Sequence, residues 1–254
     1  MKKISFRGRE IEVPCGVGEL SPVQYEYFLI LAQAFGAGAI DFGRLRVRWL
    51  SFLLGMGMSD YTILVPELIK EAESLAWAAD PFFGDGGPLL ATPLNRLPEY
   101  EGHKGPGDWL DGLKFGDFVK CLTILEAADR GAPEEVAGGC AEVARTLYGY
   151  APGEDVPDTL TYHATVFFMN VWNEIMRGPV TINGRPVDFR IIFKGAEGRG
   201  GRGKPDDNTG WTGIMFEVAK EGPFGNLRDV EATDFWEVLL YLYRCKFEYM
   251  HSGC

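Results

Sequence analysis

Asp158-Thr159-Leu160-Thr161-Tyr162-His163-Ala164-Thr165-Val166-Phe167-Phe168-Met169-Asn170-Val171-Trp172-Asn173-Glu174-Ile175-Met176 decides the fold. Leu160, Ala164, Phe167, Phe168, Val171, Trp172 and Ile175 recur in it at helical spacing, in one unbroken stripe. That period places them along one side of an α-helix, and the spacing predicts a helix from about Asp158 to Met176. His163, Asn170 and Glu174 share a face opposite the stripe. Such a trio could supply a base and its orienter, but no nucleophile or second acid is placed to complete it. A solvated helix face is the expectation.

Upstream of this stretch the signal stays helical. Ser21-Pro22-Val23-Gln24 is a capping box with proline at the first helical position, opening an apolar helix that runs to about Phe35. Asp41 caps a second helix through Leu54. Arg44 to Trp49 also alternates with period two, but Leu45, Trp49 and Phe52 favour the helix. A third is expected from about Pro66 to Ala79. Phe118, Cys121, Leu122 and Leu125 mark another, and Val136, Cys140, Val143, Ala144 and Leu147 the next, opened by Pro133. Residues 81–112, rich in Gly, Pro and Asp, read as a long excursion of the functional or mobile kind.

Two hairpins frame these helices, at 4–13 and 180–189. The second carries Asn183-Gly184, a strong two-residue hairpin signal because both residues tolerate positive φ. Isolated hairpins are marginal in water, so the two are expected to join one small sheet. Residues 194–208, glycine-rich and without a large apolar side chain, read as a flexible linker. The expected organisation is a helical domain with hairpins over 1–193, the linker over 194–208, and a C-terminal two-helix segment over 209–254. Those two helices are Trp211 to Lys220 and Asp234 to about Tyr249. The fold class is mainly α.

Composition narrows the function classes. With 254 residues, 46% hydrophobic and 24% charged, the chain has the make-up of a globular protein. Its net charge of −11 argues against a nucleic-acid partner, since phosphate binding is driven by cations. Five cysteines at scattered spacings and three histidines give neither a zinc framework nor a disulfide scaffold, and each thiol reads as a small core residue. The N-terminus turns polar too soon for a signal peptide, and no apolar run reaches the ~18–20 residues of a membrane span. A soluble, cytoplasmic protein is expected, without membrane contact.

Gly198 to Pro205 spells G-x-x-x-x-G-K-P, one residue short of a phosphate-binding loop. The missing hydroxyl is the magnesium ligand, and Asp206-Asp207 follow where phosphate would repel them. No cofactor, metal or catalytic residue is assigned, and an enzyme is not the expectation. The aromatic residues are more informative. Phe235, Trp236, Tyr241, Tyr243, Phe247 and Tyr249 crowd the last helix, whose apolar arc is wider than one core face requires. General grounds favour a helix clamped between layers of its own protein. The functional alternative is a docking surface, since Trp and Tyr are preferred interface anchors. The first helix carries the same ambiguity. The candidate partner-binding residues are Tyr27, Leu31, Trp211, Phe224, Trp236, Leu240 and Tyr243.

Several stretches have a familiar pattern. They are Thr209-Gly210-Trp211-Thr212-Gly213-Ile214, Gly222-Pro223-Phe224-Gly225, Glu237-Val238-Leu239 with Tyr241-Leu242, Ile4 to Gly8, Glu19 to Tyr25, Arg48 to Gly55, and Trp172 to Phe189. Together they resemble a tail-module protein encoded near the tape-measure gene in phages and prophages of Bacteroidetes-type hosts. The resemblance touches both ends and the middle of the chain but not 81–112, and its motifs are structural. It implies a tail assembly chaperone that coats the tape-measure helix in the bacterial cytosol. The implied partners are the tape-measure or another tail protein, with self-association as a further possibility. A structural tail or connector component of the virion is the alternative.

Overall fold

The computed structural model describes residues 1–56, 70–71, 73–84, 87–128, 132–193 and 210–251. The fold is mainly α, with small two-stranded antiparallel hairpins. It divides into two compact units, Met1–Thr92 and Pro93–Cys254. The expected division into 1–193 and 209–254 does not coincide with this one. The linker expected over 194–208 and its near-phosphate-loop motif lie outside the described residues.

In the first unit, β1 (Lys2–Phe6) and β2 (Arg9–Val13) pair with Ile4 opposite Ile11. Arg7 and Gly8 both take positive φ, as a tight two-residue hairpin turn requires. Alternation puts Ile4, Phe6 and Val13 into the core. Helix α1 (Pro22–Gly36) begins as expected: the Ser21 hydroxyl accepts from the Gln24 N–H, and the Gln24 side chain accepts from the Ser21 N–H. Helix α2 (Phe42–Leu53) is capped by Asp41, which accepts from the Arg44 N–H at 2.8 Å. Residues 44–49 are helical, as the spacing of Leu45, Trp49 and Phe52 predicts. Phe28 of α1, Trp49 of α2 and Phe82 pack ring to ring, with centroids 4.7 to 5.7 Å apart. Of the helix expected from Pro66 to Ala79, residues 66–69 and 72 lie outside the described residues; residues 70–71 and 73–74 are helical, and the end is a 3₁₀ turn over Ala76–Ala78. A hairpin of β3 (Phe83–Gly84) and β4 (Gly87–Pro88) follows.

The second unit opens with β5 (Glu99–Tyr100) and β6 (His103–Lys104). Its body is α3 (Phe115–Ala128), α4 (Pro133–Tyr148) and α5 (Asp158–Arg177), with α4 packed on both neighbours. The stripe of α5 is the heart of this core: Leu160, Ala164, Phe167, Phe168, Val171 and Ile175 are all buried. After α5 come β7 (Val180–Ile182), β8 (Arg185–Val187) and the single turn α6 (Arg190–Phe193). The hairpins at the start and middle of the chain are separate sheets, against the expectation of one. Each instead buries apolar side chains in its own unit, Ile4, Phe6 and Val13 in the first and Val180 in the second, which supplies the apolar backing an isolated hairpin lacks.

The C-terminal segment has three described helices rather than two: α7 (Gly210–Glu221), α8 (Leu227–Ala232) and α9 (Phe235–His251). The extra one is the short α8, capped by Asn226 and Asp229 across Leu227 and Arg228. The segment is part of the second core. Phe115 N–H donates to Thr233 O at 2.8 Å and Phe235 N–H donates to Leu113 O at 2.9 Å, so the starts of α3 and α9 are joined backbone to backbone. Phe118 of α3 stacks on Phe235 at 4.2 Å and meets Trp211 at 5.6 Å. Gly116 sits where a Cβ would lie 3.0 Å from Glu231, so α8 can approach α3 closely only at glycine.

Candidate functional site

The site is built on a buried polar contact that begins in the α5 stripe. His163 is fully buried, so its expected solvated face does not exist at that position. Its Nε2 lies 2.9 Å from Asn95 Oδ1. Asn95 Oδ1 also accepts from the Leu97 N–H, while Asn95 Nδ2 donates to Pro106 O at 2.7 Å. The amide orientation is therefore fixed from both ends, and His163 must carry its proton on Nε2. Burial holds the imidazole pKa down to about 3, which keeps it neutral. Tyr148, whose hydroxyl burial pushes upward in pKa, donates to Leu97 O at 2.7 Å. Gly105 packs flat on the Tyr148 ring, where a Cβ would come within 2.6 Å.

This network orders residues 93–112, part of the 81–112 stretch that reads as a mobile or functional excursion. Leu97 and Leu110 join the core, and Asn95 N–H donates to Asp108 Oδ1 at 2.8 Å. Trp109 N–H donates to Pro93 O, and Trp109 O accepts from Trp236 Nε1 at 2.9 Å. Those bonds hold Trp109 and Leu110 at φ of 60° and 61°, a left-handed pair that side chains disfavour by about 1–3 kcal/mol each. The result is a rigid corner that sets Asp108, Trp109 and Asp111 against α9.

Opposite that corner runs β7. Between them lies an open cleft of about 920 Å³, floored by Trp236 and Leu240 of α9. Trp236 is fixed by its indole bond to Trp109 O and by the Phe189 ring at 5.7 Å. Tyr243, one turn beyond Leu240, packs on Phe189 at 5.8 Å and on Phe247 at 5.9 Å. Three candidate partner-binding residues, Trp236, Leu240 and Tyr243, thus follow one another along α9. Beyond Tyr243 the helix leaves the core: Phe247, Tyr249 and Met250 are 45%, 67% and 57% exposed.

The other candidates lie elsewhere. Trp211 is half-buried in a ring cluster with Phe115, Phe118, Trp172 and Phe193. Phe224 meets the edge of Tyr241 at 5.3 Å. In the first unit Leu31 is buried, which removes it from any surface, and Tyr27 is half-buried against Phe52 at 4.3 Å. Trp109, Asp108, Asp111 and Thr181 were not singled out from sequence. The signal that could have found them is a lone tryptophan between aspartates in an otherwise polar turn. Asn170 is half-buried, and Glu174, also half-buried, accepts from Arg177 at 3.5 Å.

Of the thiols, Cys121 is a core residue, and burial pushes its pKa up to about 12. Cys15 and Cys245 are exposed, against the expectation that each cysteine is a core residue. No cluster of His, Cys, Asp and Glu among the described residues could hold a metal ion, and no described helix is long and apolar enough to cross a membrane. Comparison with protein-family models, with curated proteins and with solved structures returns no match for this chain.

Proposed function

We propose that this chain is a protein-binding assembly factor, and specifically a phage tail assembly chaperone that shields the tape-measure protein while the tail forms. One observation carries the reading: Tyr243, Phe247 and His251 stack as a column along α9 while Phe247, Tyr249 and Met250 stand open to solvent. An apolar, ring-bearing stripe at helical spacing is what a partner helix needs to lie against. Single exposed apolar residues are ordinary, but Phe247 and Met250 stand one helical turn apart beside that column and form a patch. The acidic surface supports solubility of a loaded complex. Many weak sites along a long coiled partner would act through avidity.

Co-expression with the tape-measure protein tests this directly. Its soluble fraction should rise with this chain and fall back with Phe247→Ser and Met250→Ser together. Equal solubility with and without the chain would sink the reading. Mass spectrometry of purified virions separates it from the alternative of a structural tail or connector component, since a chaperone should be sparse or missing there. An enzyme acting through the glycine-rich stretch predicts nucleotide heat in calorimetry that Lys204→Ala abolishes.

A further inference from the structure

The hairpin edge beside Trp236 has a donor and an acceptor to spare. Val180 pairs with Val187, Thr181 with Pro186 and Ile182 with Arg185. Proline has no N–H, so Thr181 and Pro186 cannot be a pair that exchanges hydrogen bonds. The bonded pairs are therefore the two flanking ones, and the N–H and C=O of Thr181 point away from β8. Thr181 is exposed, and among the described residues no protein group pairs with either.

That edge borders the cleft. Pro179, Val180, Thr181 and Ile182 all line it in succession, whereas a strand presenting one face would contribute every second residue. Facing the edge are Asp108 and Asp111, and among the described residues no basic side chain lines the cleft. Trp236 and Leu240 form its apolar floor. The three features ask for three things in one occupant: an extended backbone, an apolar side chain and a cation.

We propose that this cleft docks an extended segment of a partner protein, one that alternates apolar and basic residues. The segment adds a third strand at Thr181, seats an apolar side chain on Trp236 and Leu240, and brings lysine or arginine to Asp108 and Asp111. Strand addition draws affinity from backbone bonds and specificity from alternate side chains. The proposal rests on the protein-binding reading and adds a second mode to it, distinct from the helix-on-helix contact at the end of α9.

The test uses the full chain and short synthetic peptides alternating valine with arginine. Two controls replace arginine by glutamate or carry N-methylated amides on the pairing edge. Amide NMR should show saturable shifts at Thr181 and at the Trp109 and Trp236 indoles with the arginine peptide. N-methylation removes the pairing donors and should weaken binding about tenfold. Asp108→Asn with Asp111→Asn keeps the Asp108 acceptor for the Asn95 N–H, removes both charges, and should weaken it about fivefold. No shift at Thr181, equal binding of the N-methylated or glutamate peptide, or equal binding of free arginine amide each overturns strand addition. If Thr181→Pro still keeps the tape-measure protein soluble and the peptides fail, this inference falls and the chaperone reading stands. If the wild-type chain gives no such solubility yet binds the arginine peptide, the opposite holds.

Discussion

Helices α5 and α9 carry similar loads of large apolar side chains and use them differently. Along α5 the stripe is narrow and regular, and its residues from Leu160 to Ile175 are buried apart from the half-buried Trp172. Along α9 only Phe235, Val238 and Leu239 are buried. Its arc then widens through Leu240, Tyr241, Leu242 and Tyr243 and opens at Phe247, Tyr249 and Met250. A core absorbs one face of a helix; what extends past that face, or past the end of the neighbouring elements, is left for something else. The number of apolar residues does not separate the two cases. Their angular spread does.

The largest effect that would test this contrast is at Phe168, fully buried between Phe118 and the rest of the α5 stripe. Phe168→Ala should cost about 3–5 kcal/mol through lost burial and the cavity left behind, read as a shift of the denaturation midpoint at unchanged slope. A cost under about 1 kcal/mol would mean that α5 is not the centre of the second unit.

Next comes the polar contact that interrupts the α5 stripe. Asn95→Leu strands the His163 Nε2–H, the Leu97 N–H and Pro106 O, each worth about 1–3 kcal/mol when left buried and unpaired. Acid should act on the same place. His163 has a folded-state pKa lowered to about 3 against about 6.5 when unfolded, so the unfolded chain binds more protons between those values. Stability contributed by neutral His163 is complete above pH ~6.5 and declines as pH falls toward 3. Urea titrations at several pH values should show that slope in wild type and a shallower one in His163→Gln. Equal slopes would place the imidazole in water.

The smallest effect is expected at the open end of α9. Phe247→Ser should change stability by no more than about 0.5 kcal/mol, because the ring is half in solvent already. A large loss there would mean that the helix end is covered within the chain, and the contrast with α5 would disappear.

Local chemistry made much of this fold legible. The capping box at Ser21, the Asp41 cap, the α5 stripe and the Asn183-Gly184 turn each follow from steric and hydrogen-bonding rules that act within a few residues. The α8 helix was missed because six residues hold too little of any period to stand out beside a Gly-Pro turn. Trp236, Leu240 and Tyr243 could be picked from the last helix because aromatic excess shows in one dimension.

Contacts across long separations were decided in three dimensions. His163 is equally plausible facing water or facing Asn95, and only the arrival of a segment 68 positions upstream settles it. The same holds for Leu31, which folding buries in the core, and for the division at Thr92 and Pro93, which no compositional break announces. Propensity and periodicity are local quantities, so the chain alone determined its helices, turns and apolar faces. Which face met protein and which stayed open depended on partners brought together by folding, whose identity no local pattern encodes.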